Sequence, residues 1–196
     1  MDDIRIIGKT FGNEKELLPG QFLEICGERK VIVITSFRVH EGKSTASEML
    51  SEGIAKLGKK VLLVEADLRS RNHIILKNHL NGVSSAKEIG MDCVKSVGAY
   101  DIAYPKVVRM KAGEVIQTAE FIKFIEDARE IYDLILIDTP PLNLFEDARV
   151  LSEYADGVAL VRGINNKGKD EFPEDVFGVV LSPMNGLGGR RWKTSS

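Results

Sequence analysis

Gly42-Lys43-Ser44-Thr45 is the segment of this sequence with the most evident chemical purpose. It follows the apolar run Val31–Thr35 across a short loop and itself opens an amphipathic stretch. A strand, a loop and a helix start in that order aim backbone N–H groups and the positive end of a helix at one point, which suits a phosphate. Lys43 would reach the β- and γ-phosphates of ATP as a point charge, and the Ser44 hydroxyl would ligate Mg²⁺. Glu41, Gly42 and Thr45 complete the candidate nucleotide-binding loop. The full lysine-loop pattern asks for a further glycine five residues before Gly42, where this chain has Phe37.

Two more apolar runs end in carboxylates. Val61–Val64 leads into Glu65-Ala66-Asp67-Leu68-Arg69. Alternation along an extended backbone puts Glu65 and Asp67 on the same side. One of them can hold a metal's water shell while the other accepts a proton from an attacking hydroxyl. Arg69 joins the candidate nucleotide contacts. Leu134–Ile137 ends at Asp138, followed by Thr139-Pro140-Pro141. A strand-terminal aspartate sets a carboxylate against phosphate-bound Mg²⁺, and the prolines stop the strand. The candidate catalytic residues are therefore Lys43, Glu65 and Asp67, and the candidate metal ligands are Ser44, Asp67 and Asp138.

The elements that must position these groups follow from periodicity. Val31–Thr35, Val61–Glu65, Leu134–Asp138, Gly157–Val161 and Phe177–Leu181 are nearly continuous apolar runs, as expected of parallel strands covered on both faces. Between them, Lys43–Leu57 reads as a helix stopped at Gly58. Thr118–Tyr132 carries an apolar stripe of Phe121, Phe124, Ile125, Ala128 and Ile131, and Asp147–Ala155 is a shorter helix. Alternating strands and helices predict a doubly wound, mostly parallel sheet in three α/β/α layers, whose ligands bind at the carboxyl ends of the strands. The expected organisation is one domain over 1–185, with residues 1–30 as an N-terminal extension and 186–196 as a disordered tail. Leu17, Leu18, Phe22 and Leu23 suggest a short helix that Pro19-Gly20 breaks.

Bulk properties exclude several classes. A chain of 196 residues with 43% hydrophobic and 29% charged residues has the composition of a globular domain with a proper core. A formal net charge of −2 argues against binding nucleic acid by phosphate neutralisation. No apolar run reaches bilayer length, and Met1-Asp2-Asp3 lacks the basic and apolar regions of a signal peptide. Cys26 and Cys93 form neither a metal spacing nor a disulfide framework. The expectation is a reduced, cytoplasmic compartment.

Together the three motifs resemble those of the bacterial tyrosine kinases of capsule and exopolysaccharide synthesis (BY-kinases), within the ParA/MinD-type P-loop ATPases. The resemblance spans Val31 to Leu181. The family's loop, Thr-Ser-x-x-Pro-Gly-x-Gly-Lys-[Ser/Thr], is followed by Thr35–Ser44. Its Asp-x-Asp-x-Arg motif is matched by Glu65, Asp67 and Arg69, and its Asp-[Ser/Thr]-Pro-Pro motif by Asp138–Pro141. Glu146-Asp147-Ala148 and Ala155-Asp156-Gly157 are also typical of the group. The resemblance implies that Lys43 binds phosphate, that Ser44 and Asp138 hold Mg²⁺, and that Asp67, with Glu65, activates a tyrosine hydroxyl. It also implies a separate membrane chain-length regulator as activating partner, which would bring the chain to the inner face of the membrane. Homo-oligomerisation stays open.

The departures from the family pattern keep two alternatives in view. Val39-His40 replaces Pro-Gly, and Glu65 replaces the first aspartate. The assembly motif Glu-x-x-Arg-x-x-Arg is missing from Glu14–Arg29, and the stretch between Val161 and Phe177 is too short for the usual helix. The four tyrosines, Tyr100, Tyr104, Tyr132 and Tyr154, form no C-terminal cluster. One alternative is a ParA/MinD-type ATPase without kinase activity, although Arg38 stands where such proteins carry a second lysine. The other is a non-catalytic nucleotide-binding regulator. His40, His73 and His79 read as solvated, Tyr100–Tyr104 as packing, and Arg190–Lys193 as a solvated end.

Overall fold

The computed structural model describes residues 5–7, 9–11, 14–16, 19–68, 89–105, 112–163 and 176–182. Arg69, His73, His79, Leu17, Leu18, most of the stretch between Val161 and Phe177, and the 186–196 tail lie outside the described residues. Among the described residues the strands are β1 (Arg5–Ile7), β2 (Lys9–Phe11), β3 (Glu14–Glu16), β4 (Val31–Ser36) and β5 (Val61–Glu65). They continue with β6 (Val94–Ser96), β7 (Asp101–Ala103), β8 (Leu134–Asp138), β9 (Gly157–Gly163) and β10 (Val176–Ser182). The helices are α1 (Pro19–Cys26), α2 (Lys43–Lys56), α3 (Ala112–Val115), α4 (Ala119–Arg129) and α5 (Asp147–Ser152).

The main sheet runs β1-β10-β9-β4-β8-β5-β7-β6, and β2 and β3 form a separate antiparallel pair. Every neighbour pair in the main sheet is parallel except β6 with β7. Side-chain parity explains the layers. Val31, Val33, Leu62, Val64, Ile135 and Ile137 face one way, into a core closed by Phe121, Phe124, Ile125 and Ala128 of α4 and by Ala148 and Leu151 of α5. Ile32, Ile34, Val61, Leu63, Leu134 and Leu136 face the other way, against Phe22 and Cys26 of α1 and Ala46, Leu50 and Ile54 of α2. Apolar runs without alternation were therefore the right signature, because both faces are covered.

Local chemistry sets the helix ends. The Thr118 side chain accepts a hydrogen bond from the Phe121 amide, an N-cap that contributes about 1 kcal/mol. Gly58, at φ 88°, follows α2 as the expected left-handed glycine. Gly53 inside α2 has a packing reason, since a Cβ there would come within 2.3 Å of the Pro19 ring on α1.

Two expectations need correction. Pro19 opens α1 instead of breaking a helix, because a proline at the first helical position removes an amide that has no partner anyway. Within residues 1–30, β1 adds to the main sheet beside β10. Ile131 lies past the end of α4 and is exposed, so the stripe ends at Ala128. The reading from periodicity also passed over β6 and β7, which are three residues each.

Candidate active site

The lysine loop leaves β4 at Ser36 and enters α2 at Lys43. Gly42 is the N-cap at φ 85°, ψ 18°, with no side-chain cap, which leaves first-turn amides of α2 for a ligand. His40 is also in the left-handed region, at φ 63°. That backbone costs an L-residue about 1–2 kcal/mol, although histidine enters it more readily than most. The chain thus keeps the conformation that glycine would give at this position, with an exposed imidazole in place of the glycine.

β4, β8 and β5 are hydrogen-bonded neighbours in register, with Ile34 opposite Asp138 and Asp138 opposite Glu65. Motifs far apart in sequence therefore converge at the carboxyl ends of three central strands. Lys43 is turned inward and 8% exposed. Its Nζ lies 3.3 Å from Asp67 Oδ2, 3.3 Å from Asp138 Oδ1 and 3.3 Å from Ser44 Oγ. These contacts are longer than the about 2.7–2.9 Å of a tight charge-assisted bond, so the ammonium is shared among three oxygens. Burial works against its charge, but Asp138, Asp67 and Glu65 outweigh it and hold its pKa above the usual lysine value.

The two carboxylates of the second motif differ. Asp67 borders the cleft and is partly exposed. Glu65 is buried, and its Oε1 accepts the Asp67 amide at 3.2 Å. Burial first, then the neighbouring Asp138 charge, push the Glu65 carboxyl well above the usual range, against the lowering effect of Lys43. Glu65 is therefore suited to holding a proton and orienting Asp67, and Asp67 to meeting substrate.

Several participants carried no sequence motif. Ser47, one turn beyond Lys43 on the buried face of α2, donates to Asp138 Oδ1 at 3.3 Å. Its spacing from Lys43 was the available signal. The residues after Asp138 bind back onto β4: the Thr139 amide donates to Ile34 O, the Thr35 hydroxyl to Pro140 O and the Leu142 amide to Ser36 O. This fixes the Asp138 turn against the lysine loop. Glu48, half-buried on α2, has its carboxyl raised to about 7 by burial and by Asp138.

Between the loop and residues 141–145 lies a cleft of about 460 Å³, bordered by Gly42, Lys43, Ser44, Thr45 and Asp67 on its polar side. Val39, Leu144 and Phe145 form an apolar rim. The Glu41 side chain does not border the cleft; it is buried beneath the loop.

The donors present fit a hard divalent cation. Asp138 is 1% exposed and its Oδ2 has no hydrogen-bond partner, an orphaned acceptor of the kind that a cation satisfies. Ser44, Asp67 and Asp138 already converge on a positive charge, the Lys43 ammonium. No cluster of three or more His, Cys, Asp or Glu side chains forms a metal cage among the described residues. Mg²⁺, which keeps water and phosphate ligands beside one or two carboxylates, needs no such cage.

The chain is similar in sequence and fold to several known proteins. The family model described as ATPase MipZ matches residues 30–173. Tyrosine-protein kinase CpsD of Streptococcus agalactiae is 32% identical over 180 residues, covering 81% of this chain and 77% of its own length. The crystal structure of the VpsO kinase domain is 27% identical with a TM-score of 0.63, covering 80% of this chain and 86% of that one. The septum site-determining protein MinD of Pyrococcus horikoshii, solved with Mg-ADP, shares the fold at a TM-score of 0.51 and 24% identity, over 68% of this chain and 58% of that one.

Proposed function

The chain belongs to the bacterial tyrosine-protein kinases related to CpsD, within the MipZ-type P-loop ATPases, and on that premise we propose that it transfers the γ-phosphoryl group of ATP–Mg²⁺ to a protein tyrosine. The observation that carries this reading is the convergence of Lys43, Asp67 and Asp138 on one point beneath a loop whose amides are open to phosphate.

The loop amides and the α2 N-terminus bind the β- and γ-phosphates. Lys43 would leave its carboxylates to meet the phosphate charge, while Ser44 and Asp138 would hold the metal. Held there, Mg²⁺ would neutralise phosphate charge that develops during transfer. Asp67 accepts the proton of the tyrosine hydroxyl as its oxygen bonds to the γ-phosphorus. The bond from that phosphorus to the β-phosphate oxygen breaks, and ADP leaves with the electron pair. Glu65 keeps Asp67 in place through its amide. Arg69, outside the described residues, stays a candidate contact for nucleotide.

Among the described tyrosines none stands at the cleft: Tyr100, Tyr104 and Tyr132 are buried, and Tyr154 is 41% exposed but lies at the amino end of the strands, where its carbonyl accepts from Arg129. No helix among the described residues is long and apolar enough to cross a membrane. We propose separately a membrane chain-length regulator as partner, with the chain held beneath the membrane.

The test is a phosphotyrosine assay with ATP–Mg²⁺ and a tyrosine-containing acceptor protein. Wild type should form phosphotyrosine and Asp67→Asn should not. Phosphate release with no phosphotyrosine on any acceptor would instead favour an ATPase, the second reading that the MipZ match supports.

A further inference from the structure

Glu41 is a carboxylate in an unusual place, 3% exposed within a loop meant for phosphate. Two opposing backbone groups explain its burial. Its Oε2 accepts the Arg38 amide at 2.9 Å and its Oε1 accepts the Gly163 amide at 3.3 Å. Arg38 begins the loop's turn, and Gly163 is the last residue of β9, the strand beside β4. One side chain thus closes the Arg38–Glu41 turn on itself and fastens it to the sheet. The same turn contains His40 at φ 63°, a conformation that an L-residue leaves unless its surroundings hold it there. Immediately after it, Gly42 and Lys43 start the helix whose amides face the cleft.

We propose that Glu41 is a positioning residue that clamps the lysine loop to β9, holding His40 in its left-handed conformation and the Gly42–Thr45 amides in register for phosphate. Nucleotide affinity in this chain then depends on a carboxylate that touches no nucleotide. Glycine at position 40 would reduce that dependence, since it takes positive φ without strain. The clamp rests on the nucleotide-binding reading for its consequence, but not for its geometry.

The experiment is a double-mutant cycle of Glu41→Ala and His40→Gly, read by ADP–Mg²⁺ calorimetry, with amide hydrogen exchange at Arg38 and Gly163 in the nucleotide-free protein. Glu41→Ala should weaken ADP binding at least tenfold and speed exchange at both amides while the rest of the sheet stays protected. Glu41→Gln, which keeps one carbonyl acceptor, should fall between it and wild type. Adding His40→Gly to Glu41→Ala should recover affinity at least threefold, which general destabilisation would not produce. Wild-type affinity in Glu41→Ala, or no recovery from His40→Gly, overturns the clamp and leaves the kinase reading standing. No ADP binding by wild type, with exchange at both amides still controlled by Glu41, overturns the nucleotide reading and leaves the clamp's geometry standing.

Discussion

The two ends of the central sheet handle charge in opposite ways. At the amino end, Asp156 accepts the Lys30 and Val31 amides at 2.8 Å each and both Arg129 guanidinium nitrogens at 2.9 Å each. Burial alone would raise its carboxyl, but the hydrogen bonds from Arg129, Val31 and Lys30 prevail and hold it below the usual value. At the carboxyl end, Glu65 and Glu48 are raised, Asp138 has an orphaned oxygen and His40 has left-handed backbone. The amino end satisfies the Asp156 carboxylate internally; the carboxyl end leaves one Asp138 oxygen without a partner. Local rules are broken where a ligand is proposed to complete them.

The contrast is sharpest for Asp67 and Asp156. Replacing Asp67 with Asn removes the proton acceptor but keeps the shape, and should lower kcat by about 10²–10⁴-fold while ADP–Mg²⁺ binding changes far less. Steady-state phosphotyrosine formation with parallel calorimetry checks this. If both parameters collapse together, Asp67 holds the metal instead of moving a proton.

Asp156→Ala should do the reverse. Losing an acceptor for two amides and a guanidinium should cost about 2 kcal/mol of stability, read by urea unfolding, with turnover unchanged at a temperature where the variant stays folded. Because the folded carboxyl titrates below its unfolded value, its contribution is present above the unfolded pKa and is lost as the pH falls through the folded one. The difference between wild type and variant should therefore shrink on acidification. An Asp156→Ala protein that is stable yet inactive would erase the distinction between the two ends.

A smaller effect of opposite sign belongs to Glu48. Its carboxyl is raised to about 7, so the folded state holds its proton more tightly than the unfolded chain. The penalty is absent below the usual glutamate value of 4.5, grows from there to about 7, and is complete above that. Glu48→Gln should therefore stabilise the protein by about 1 kcal/mol at alkaline pH, after discounting for partial exposure, and by nothing in acid. Thermal unfolding across pH checks it, and a gain equal at all pH values would show that charge is not the cause.

Much of this arrangement was legible in the sequence because parallel strands buried on both faces declare themselves as apolar runs, and their carboxyl ends carry the chemistry. Val61–Glu65 and Leu134–Asp138 have the bounds that the sequence suggests. β1, β6 and β7 were not legible, since three residues are too few to show a period and their strand state depends on edge pairing. Lys43, Asp67 and Asp138 could be read as one site from motif order alone. The contribution of Ser47, the buried orientation of Glu41 and the raised carboxyl of Glu65 could not, because each depends on which neighbours the fold brings near. His40 was visible as a departure from Pro-Gly, but only the backbone shows that the glycine-like conformation is retained.

The most direct test of the account is calorimetric titration of ATP–Mg²⁺ into wild type and Lys43→Ala. The account predicts wild-type binding with a Kd on the order of micromolar and its loss in the variant. Absence of wild-type binding at about 1 mM ATP would contradict it, and the orphaned Asp138 oxygen would then need an occupant other than nucleotide.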